Sequence, residues 1–119
     1  MATKFLNANA TGSEYSVWVD TAATATAVKV SNIALNLRAV ECNNASGGIV
    51  YFKAAENADA ISGTTVPEYV LRVPNSTHTR IMIPGGQAMT ALSYWVTQGG
   101  GDTNDVAPGG TVTVRLVFA

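Results

Sequence analysis

Short runs of β-forming residues alternate with turn clusters of Gly, Pro, Asn and Ser along most of this sequence. The clearest run covers residues 111–118, where apolar side chains at Val112, Val114, Leu116 and Phe118 occupy every second position. Such a period of two is typical of a strand with one buried face. We therefore predict an all-β fold: a single antiparallel β-sandwich, jelly-roll-like, with about eight strands. An immunoglobulin-like sandwich is the main alternative, although its Cys…Trp…Cys signature is absent.

The segment from Ile33 to Lys53 predicts a hairpin. Ile33, Leu35 and Leu37 share one face, and the apolar positions then shift by one residue around Val40 and Cys42, which predicts a β-bulge. A cluster of Asn, Ser and Gly at residues 43–48 predicts the turn, and residues 49–53 the returning strand.

Other segments are assigned from local composition. We predict strands at residues 15–19, 68–73 and 80–83, the last closed by the Pro84-Gly85-Gly86 turn. Residues 22–30 predict a weak strand and residues 54–60 a single helical turn. The run at 88–98 is apolar at both odd and even positions, which is typical of a central strand covered on both sides. Residues 99–110 predict a flexible loop.

The first 14 residues are small, polar and aperiodic, so we predict an N-terminal arm at 1–14 and a sandwich domain at 15–119. Phe5-Leu6 is too short for the apolar part of a secretory signal, and no apolar run has the length of a membrane span. We expect synthesis and folding in a cytoplasm, with no membrane partner.

Charge is scarce in this chain of 119 residues. Only 13% of the residues are charged, 47% are hydrophobic, and the formal net charge is −1. A disordered segment would combine low hydrophobicity with high net charge. A nucleic-acid binder would need a basic excess to neutralise phosphates. The composition therefore favours a folded domain without a nucleic-acid partner.

No residue pattern indicates catalysis, a metal or a cofactor. His78 is the only histidine, and its position between two strands is typical of an exposed turn residue. Cys42 has no nearby base and predicts a buried, inert thiol. The loop at 99–105 has oxygen ligands of the kind Ca²⁺ prefers, but lacks EF-hand spacing. The double glycines form no phosphate-binding motif. We predict a protein that is not an enzyme and has no metal or cofactor.

Aromatic residues raise a second possibility, because rings can stack on sugars. They are Tyr15, Trp18, Tyr51, Tyr69, Tyr94 and Trp95, and a sugar site predicts an exposed aromatic row near Trp18 or Trp95. Trp18 lies on the opposite strand face from Tyr15, Val17 and Val19. If those three side chains are in the core, Trp18 is an exposed contact residue. If the strand lies between two layers, Trp18 is simply buried. The sequence leaves both interpretations open.

The second part of the chain resembles small β-sandwich virion proteins of tailed bacteriophages. The similarity runs from about Leu35 to Ala119 and is carried by NASGGIVYFK at 44–53, GTTVPEYVLRVP at 63–74, IPGG at 83–86, ALSYWVT at 91–97, GDTND at 101–105 and VTVRL at 112–116. Such proteins decorate and cement capsids or form head fibres and tail appendages.

The resemblance implies a structural protein on the capsid surface of a virion, with the major capsid protein as its partner and a homo-oligomer, trimer or dimer, as its assembly. A glycan-binding module of a head fibre or tail appendage is the alternative. We expect the N-terminal arm to pair with a strand of a neighbour. The predicted assembly contacts are Lys4, Phe5, Leu6 and Trp18.

Overall fold

The computed structural model describes the backbone of residues 2–8 and 14–119, and the side chains of residues 15–119. This part of the chain contains strands and no helix. The strands are β1 (Ala2–Ala8), β2 (Glu14–Asp20), β3 (Val28–Ser31), β4 (Leu35–Ala45), β5 (Val50–Ala55), β6 (Tyr69–Val73), β7 (Thr77–Met89), β8 (Leu92–Thr97) and β9 (Thr111–Phe118). No helix in the described residues is long and apolar enough to cross a membrane.

The strands form two antiparallel sheets that pack face to face. One has five strands in the order β1-β2-β9-β4-β7, and the other has four in the order β3-β8-β5-β6. Except in the β1–β2 and β5–β6 hairpins, the chain crosses to the other sheet after each strand. Leaving β1 aside, this order of eight strands in two sheets is that of a jelly roll, so the predicted fold is confirmed.

The core lies between the sheets and is formed by alternating residues of each strand. The run at 111–118 is the best example, since Val112, Val114, Leu116 and Phe118 are all at most 4% exposed. The core also contains Val30, Leu35, Leu37, Val40, Cys42, Val50, Phe52, Ala54, Val73, Met89, Leu92, Tyr94 and Val96. The alternation seen in the sequence therefore identifies the inward faces correctly.

The predicted bulge in β4 is confirmed. The register of β4 shifts between Leu37 and Ala39 against both of its neighbours. Leu35 and Leu37 face the core before the shift, and Val40 and Cys42 face it afterwards. The extra residue lets one strand of eleven residues keep its apolar side chains inward on both sides of the bend.

The predicted hairpin at 33–53 is wrong. β4 pairs with β7 and β9, whereas β5 pairs with β6 and β8 in the other sheet. The turn between them is a corner of the sandwich, held by Asn44. The Asn44 side-chain amide donates to the carbonyl oxygens of Gly48, Val73 and Pro74. Ile33, placed on the buried face by the pattern, is 70% exposed because β4 begins only at Leu35.

Three further local predictions differ from the structure. Residues 22–27 are not a strand, because this segment crosses between the sheets: Ala23 N–H donates to Val112 O, and Val96 N–H donates to Thr24 O. Residues 56–60 form turns rather than a helical turn, and Ser93 Oγ donates to Asn57 O. β7 does not close at Pro84 but continues to Met89 through a wide irregularity, and Gly85 and Gly86 take positive φ there.

The segment predicted as an N-terminal arm contains a strand. β1 pairs with β2 along its whole length, from Ala2 opposite Asp20 to Ala8 opposite Glu14. Residues 9–13 lie outside the described part of the chain. Among the described residues β1 ends the five-stranded sheet, and an edge strand can pair with a strand of a neighbour, as an arm would. That role stays a prediction.

Candidate assembly surface

A groove of about 480 Å³ opens between the two sheets on the side where β6 and β7 lie. β6 ends the four-stranded sheet and β7 ends the five-stranded sheet. The lining is mostly apolar and comes from both sheets: Leu37, Val40, Phe52, Ala54, Glu68, Tyr69, Val70, Leu71, Ile81, Ile83 and Gln87. The core of the sandwich is therefore accessible from this side.

Large apolar side chains surround the groove. Tyr69 is 39% exposed, Val70 47% and Ile81 41%. Scattered exposed apolar residues are ordinary, but a contiguous group beside a groove is typical of an interaction site. We call the group Tyr69, Val70 and Ile81, with the groove between them, the open side.

The strand edges of the open side add a second feature. Neither β6 nor β7 has a second strand neighbour among the described residues. An edge strand presents a row of backbone N–H and C=O groups that another extended chain can pair with. The open side thus combines apolar contact area with backbone hydrogen-bonding groups, which is the combination used in β-strand addition.

The opposite side of the sandwich is closed by a polar network. Trp18 Nε1 donates to the Tyr94 hydroxyl at 3.1 Å, and that hydroxyl donates to Asp20 Oδ2. Asp20 Oδ1 accepts from Ala22 N–H at the start of the crossing segment. Burial and the hydrogen bond to Asp20 raise the pKa of Tyr94, so its hydroxyl remains a donor. This network joins β2 to β8 across the interior.

Trp18 therefore faces the interior, but neither of the two interpretations left open by the sequence is met, because the strand is covered on one face only. Trp18 is half-buried, packs against the core and is bonded through its indole N–H. Tyr15, Val17 and Val19 lie on the outer face of the sheet. A contact role for Trp18 stays a prediction, restricted to the exposed part of its ring.

The other predicted contacts lie on β1. Lys4, Phe5 and Leu6 are opposite Trp18, Val17 and Ser16 in the register of the β1–β2 pair. Their side chains lie outside the described part of the chain. β1 and β7 are at the two ends of the five-stranded sheet, so the structure separates the predicted contacts from the open side.

Of the aromatic side chains considered for sugar stacking, Tyr69 is exposed, whereas the two tryptophans and Tyr94 are buried or half-buried. Trp95 is fully buried and Trp18 is half-buried. Phe52 and Tyr94 stack inside the core, with ring centroids 5.8 Å apart. The described part of the sandwich therefore has no row of exposed tryptophans.

The loop considered for Ca²⁺ accepts hydrogen bonds from the ammonium group of Lys53. Lys53 is fully buried, and its Nζ donates to Gly101 O at 2.6 Å and to Asn104 O at 3.2 Å. Burial lowers the pKa of Lys53, and nearby Asp102 partly opposes that effect. No group of three or more His, Cys, Asp and Glu side chains comes together in the described residues.

His78 and Cys42 lie on opposite faces of the same sheet. His78 is exposed, and its Nε2 is 3.5 Å from Glu41 Oε1 on the outer face. Cys42 is fully buried in the core, and burial raises its pKa to about 11, so the thiol stays protonated at neutral pH. The buried thiol predicted for Cys42 is confirmed. His78 is exposed as predicted, but it lies within β7 rather than in a turn.

The open side was missed by the sequence interpretation. Its signal is an apolar run on both faces of a strand, as in Ile81-Met82-Ile83 and Tyr69-Val70-Leu71. In a central strand such a run reflects burial on both faces, but β6 and β7 are edge strands. Sequence alone does not distinguish these cases, because strand order depends on pairings distant in the chain.

The sequence matches no protein-family model, and a comparison with curated proteins gives no significant match.

Proposed function

We propose that this chain is a structural protein of a phage virion, a capsid decoration or cement protein that stabilises the head by bridging major capsid proteins. The open side is the observation that carries the proposal. Its occupant is an extended segment of the major capsid protein, lying along the edge of β6 or β7 with apolar side chains in the groove.

The geometry supports this occupant over a globular one. The open side offers backbone groups on two strand edges and a groove between them. An extended segment satisfies the backbone groups and buries alternate side chains at the same time. Ile81, Ile83 and Leu71 line the groove and would contact those side chains.

Two further features support the class of protein. The jelly roll occurs in viral capsid domains, although it also occurs in lectins and enzymes, so the fold alone does not define the function. The sparse charge suits a protein packed densely against many identical copies, because like charges repel across every such contact. A modest energy per contact is sufficient when many linked contacts act together.

Binding to empty shells of the major capsid protein tests the proposal. Ile81→Lys places a charge in the groove and should reduce occupancy on the shells by about tenfold or more, because a buried unpaired charge is costly at an interface. Ile33→Lys is the matched control, since Ile33 is 70% exposed and lies in the turn before β4. Co-sedimentation measures occupancy, and thermal melting confirms that both variants are folded.

Wild-type protein that fails to bind shells would contradict the proposal, and so would equal binding by the two variants. Glycan binding by a fibre or tail appendage is the alternative function. A glycan array separates the two, because a decoration protein binds shells without saturable binding to any sugar. The burial of Trp95 removes one of the two tryptophans considered for sugar stacking.

A further inference from the structure

The outer face of the five-stranded sheet is basic. Arg80 on β7 and Arg115 on β9 flank Glu41 on β4, with their Nε atoms 3.6 and 3.8 Å from its carboxylate. Arg38 lies on the same face, over the Tyr15 ring. The described side chains of this face include three arginines and one glutamate. We call this surface the arginine face.

Two loops cover the outer face of the other sheet. They are residues 56–68, between β5 and β6, and residues 98–110, between β8 and β9. Their backbone accepts hydrogen bonds from the outward-facing side chains of Lys53 and Ser93, and Trp95 is buried on the same face. These loops therefore form the surface opposite the arginine face.

The two loops are acidic. They contain five of the chain's eight acidic residues and no lysine or arginine. The acidic residues are Glu56, Asp59, Glu68, Asp102 and Asp105, and all five are exposed. The charge of Lys53 lies beneath the loops, bonded to their carbonyl oxygens. Lys29 and Arg72 are exposed on the outer face of the same sheet, so five acidic side chains compare with two exposed cations. We call this surface the acidic loop face.

Each face also exposes apolar side chains among its charges. Met82 on the arginine face is 60% exposed. On the acidic loop face Ile61 is 61% exposed, Val66 62% and Val106 51%. Both faces therefore offer what a protein interface needs, apolar contact area with charges that set orientation.

We propose that copies of this chain associate head to tail, with the arginine face of one copy against the acidic loop face of the next. The two faces carry opposite charge, and both belong to the same chain, so every copy can supply both halves of the contact. Such a contact is heterologous and repeats from copy to copy, giving a ring where the rotation between copies closes and an open stack where it does not. It deepens the proposed function by naming the contact between copies.

Sedimentation velocity of the purified chain tests the proposal without any shell, so its result is independent of capsid binding. Association should increase with protein concentration at 50 mM salt and weaken at 500 mM, because exposed charges are screened. The variant Arg80→Glu/Arg115→Glu should weaken association about tenfold or more, and so should Glu56→Lys/Asp59→Lys. Mixing these two variants should restore association, since the reversed faces are again complementary.

The control is Ile33→Glu/Asn75→Glu, which also makes the net charge more negative but lies outside both faces. Ile33 and Asn75 are exposed in the turns before β4 and before β7, so this variant should associate like the wild type. A wild type that stays monomeric at every concentration would overturn the proposal. Loss of association in only one of the two face variants, or no recovery on mixing, would equally overturn it.

Discussion

At the scale of single residues, buried polar side chains hold the corners and loops of this sandwich. Asn44 is fully buried, and its amide donates to three carbonyl oxygens while its own oxygen accepts from Ser46. Lys53 holds the loop at 99–105, and Asp20 and Tyr94 join β2 to β8. Buried polar groups are stable only when they are bonded, so each of these fixes one local geometry.

Replacing Lys53 with methionine should loosen the loop without unfolding the protein. Lys53→Met removes two hydrogen bonds to the loop but also removes the cost of burying an ammonium group, so we expect the free energy of unfolding to change by less than about 1.5 kcal/mol. Amide hydrogen exchange at residues 99–106 should be faster by about tenfold or more. Lys29→Met, at an exposed lysine, is the control; unchanged exchange in the loop of Lys53→Met would contradict this role.

Cys42 should make the protein less stable at high pH. Its pKa is about 11 in the folded state against 9.0 for a free thiol. A raised pKa gives a stabilisation that is fully present below pH 9 and is lost as the pH rises to about 11, since the unfolded state ionises first. The loss corresponds to about 3 kcal/mol.

Denaturant unfolding at pH 8 to 11 under reducing conditions measures this loss. Cys42→Ala should be less stable at pH 8 because it leaves a small cavity, but its stability should fall less steeply with pH. Tyr94, whose pKa is also raised, contributes to both proteins alike. Parallel curves for the two proteins would show that the thiol is not the cause.

Residue positions in the core could be predicted wherever the alternation is strict, as at Val112, Val114 and Leu116. The roles of Asn44 and Lys53 could not, because their partners are backbone carbonyl oxygens far along the chain. Lys53 occupies an outward position of β5, and a lysine there is expected to be exposed. It is buried because the loop at 99–105 covers it.

At the scale of elements, strands could be predicted where apolar and polar residues alternate. The course of the chain after each turn was harder to predict. β9 and the bulge in β4 follow directly from apolar periodicity. The hairpin at 33–53 fails because a turn cluster predicts a change of direction but not whether the next strand stays in the same sheet. The jelly roll crosses to the other sheet at most of its turns.

The irregular part of β7 gives a test at this scale. Gly85 and Gly86 have φ of 77° and 79°, a conformation that costs an L-residue about 1–2 kcal/mol. A Cβ at Gly86 would also lie 3.1 Å from Arg38 Nε, whereas one at Gly85 meets nothing within 4 Å. Both alanine substitutions should destabilise, and Gly86→Ala more than Gly85→Ala. Urea unfolding measures the difference between the two variants. Equal unfolding midpoints for Gly85→Ala and Gly86→Ala would contradict the prediction, because Arg38 would then move away from the new Cβ without a cost in stability.

At the scale of the whole molecule, the sandwich exposes three distinct surfaces. The open side joins two strand edges, and the arginine face and the acidic loop face lie on the outside of the two sheets. The all-β class could be predicted from the spacing of strands and turns. The three surfaces could not, because each one combines residues from strands or loops that are distant in the sequence.

The charge pattern shows the same limit. A net charge of −1 gives no indication that basic and acidic residues are separated. The separation arises because the two longest loops, which carry five acids, both leave the four-stranded sheet, whereas three arginines lie on the other sheet. Folding thus converts a nearly neutral sequence into a molecule with two oppositely charged faces.

The central claim is that this chain is a capsid component attached through its open side. Cryo-electron microscopy of virus particles purified from cells that produce the chain tests this most directly. We predict ordered jelly-roll density on the outside of the head, with β6 and β7 facing the major capsid protein. Particles that lack the chain, or density attached through another side with β6 and β7 facing solvent, would contradict the account.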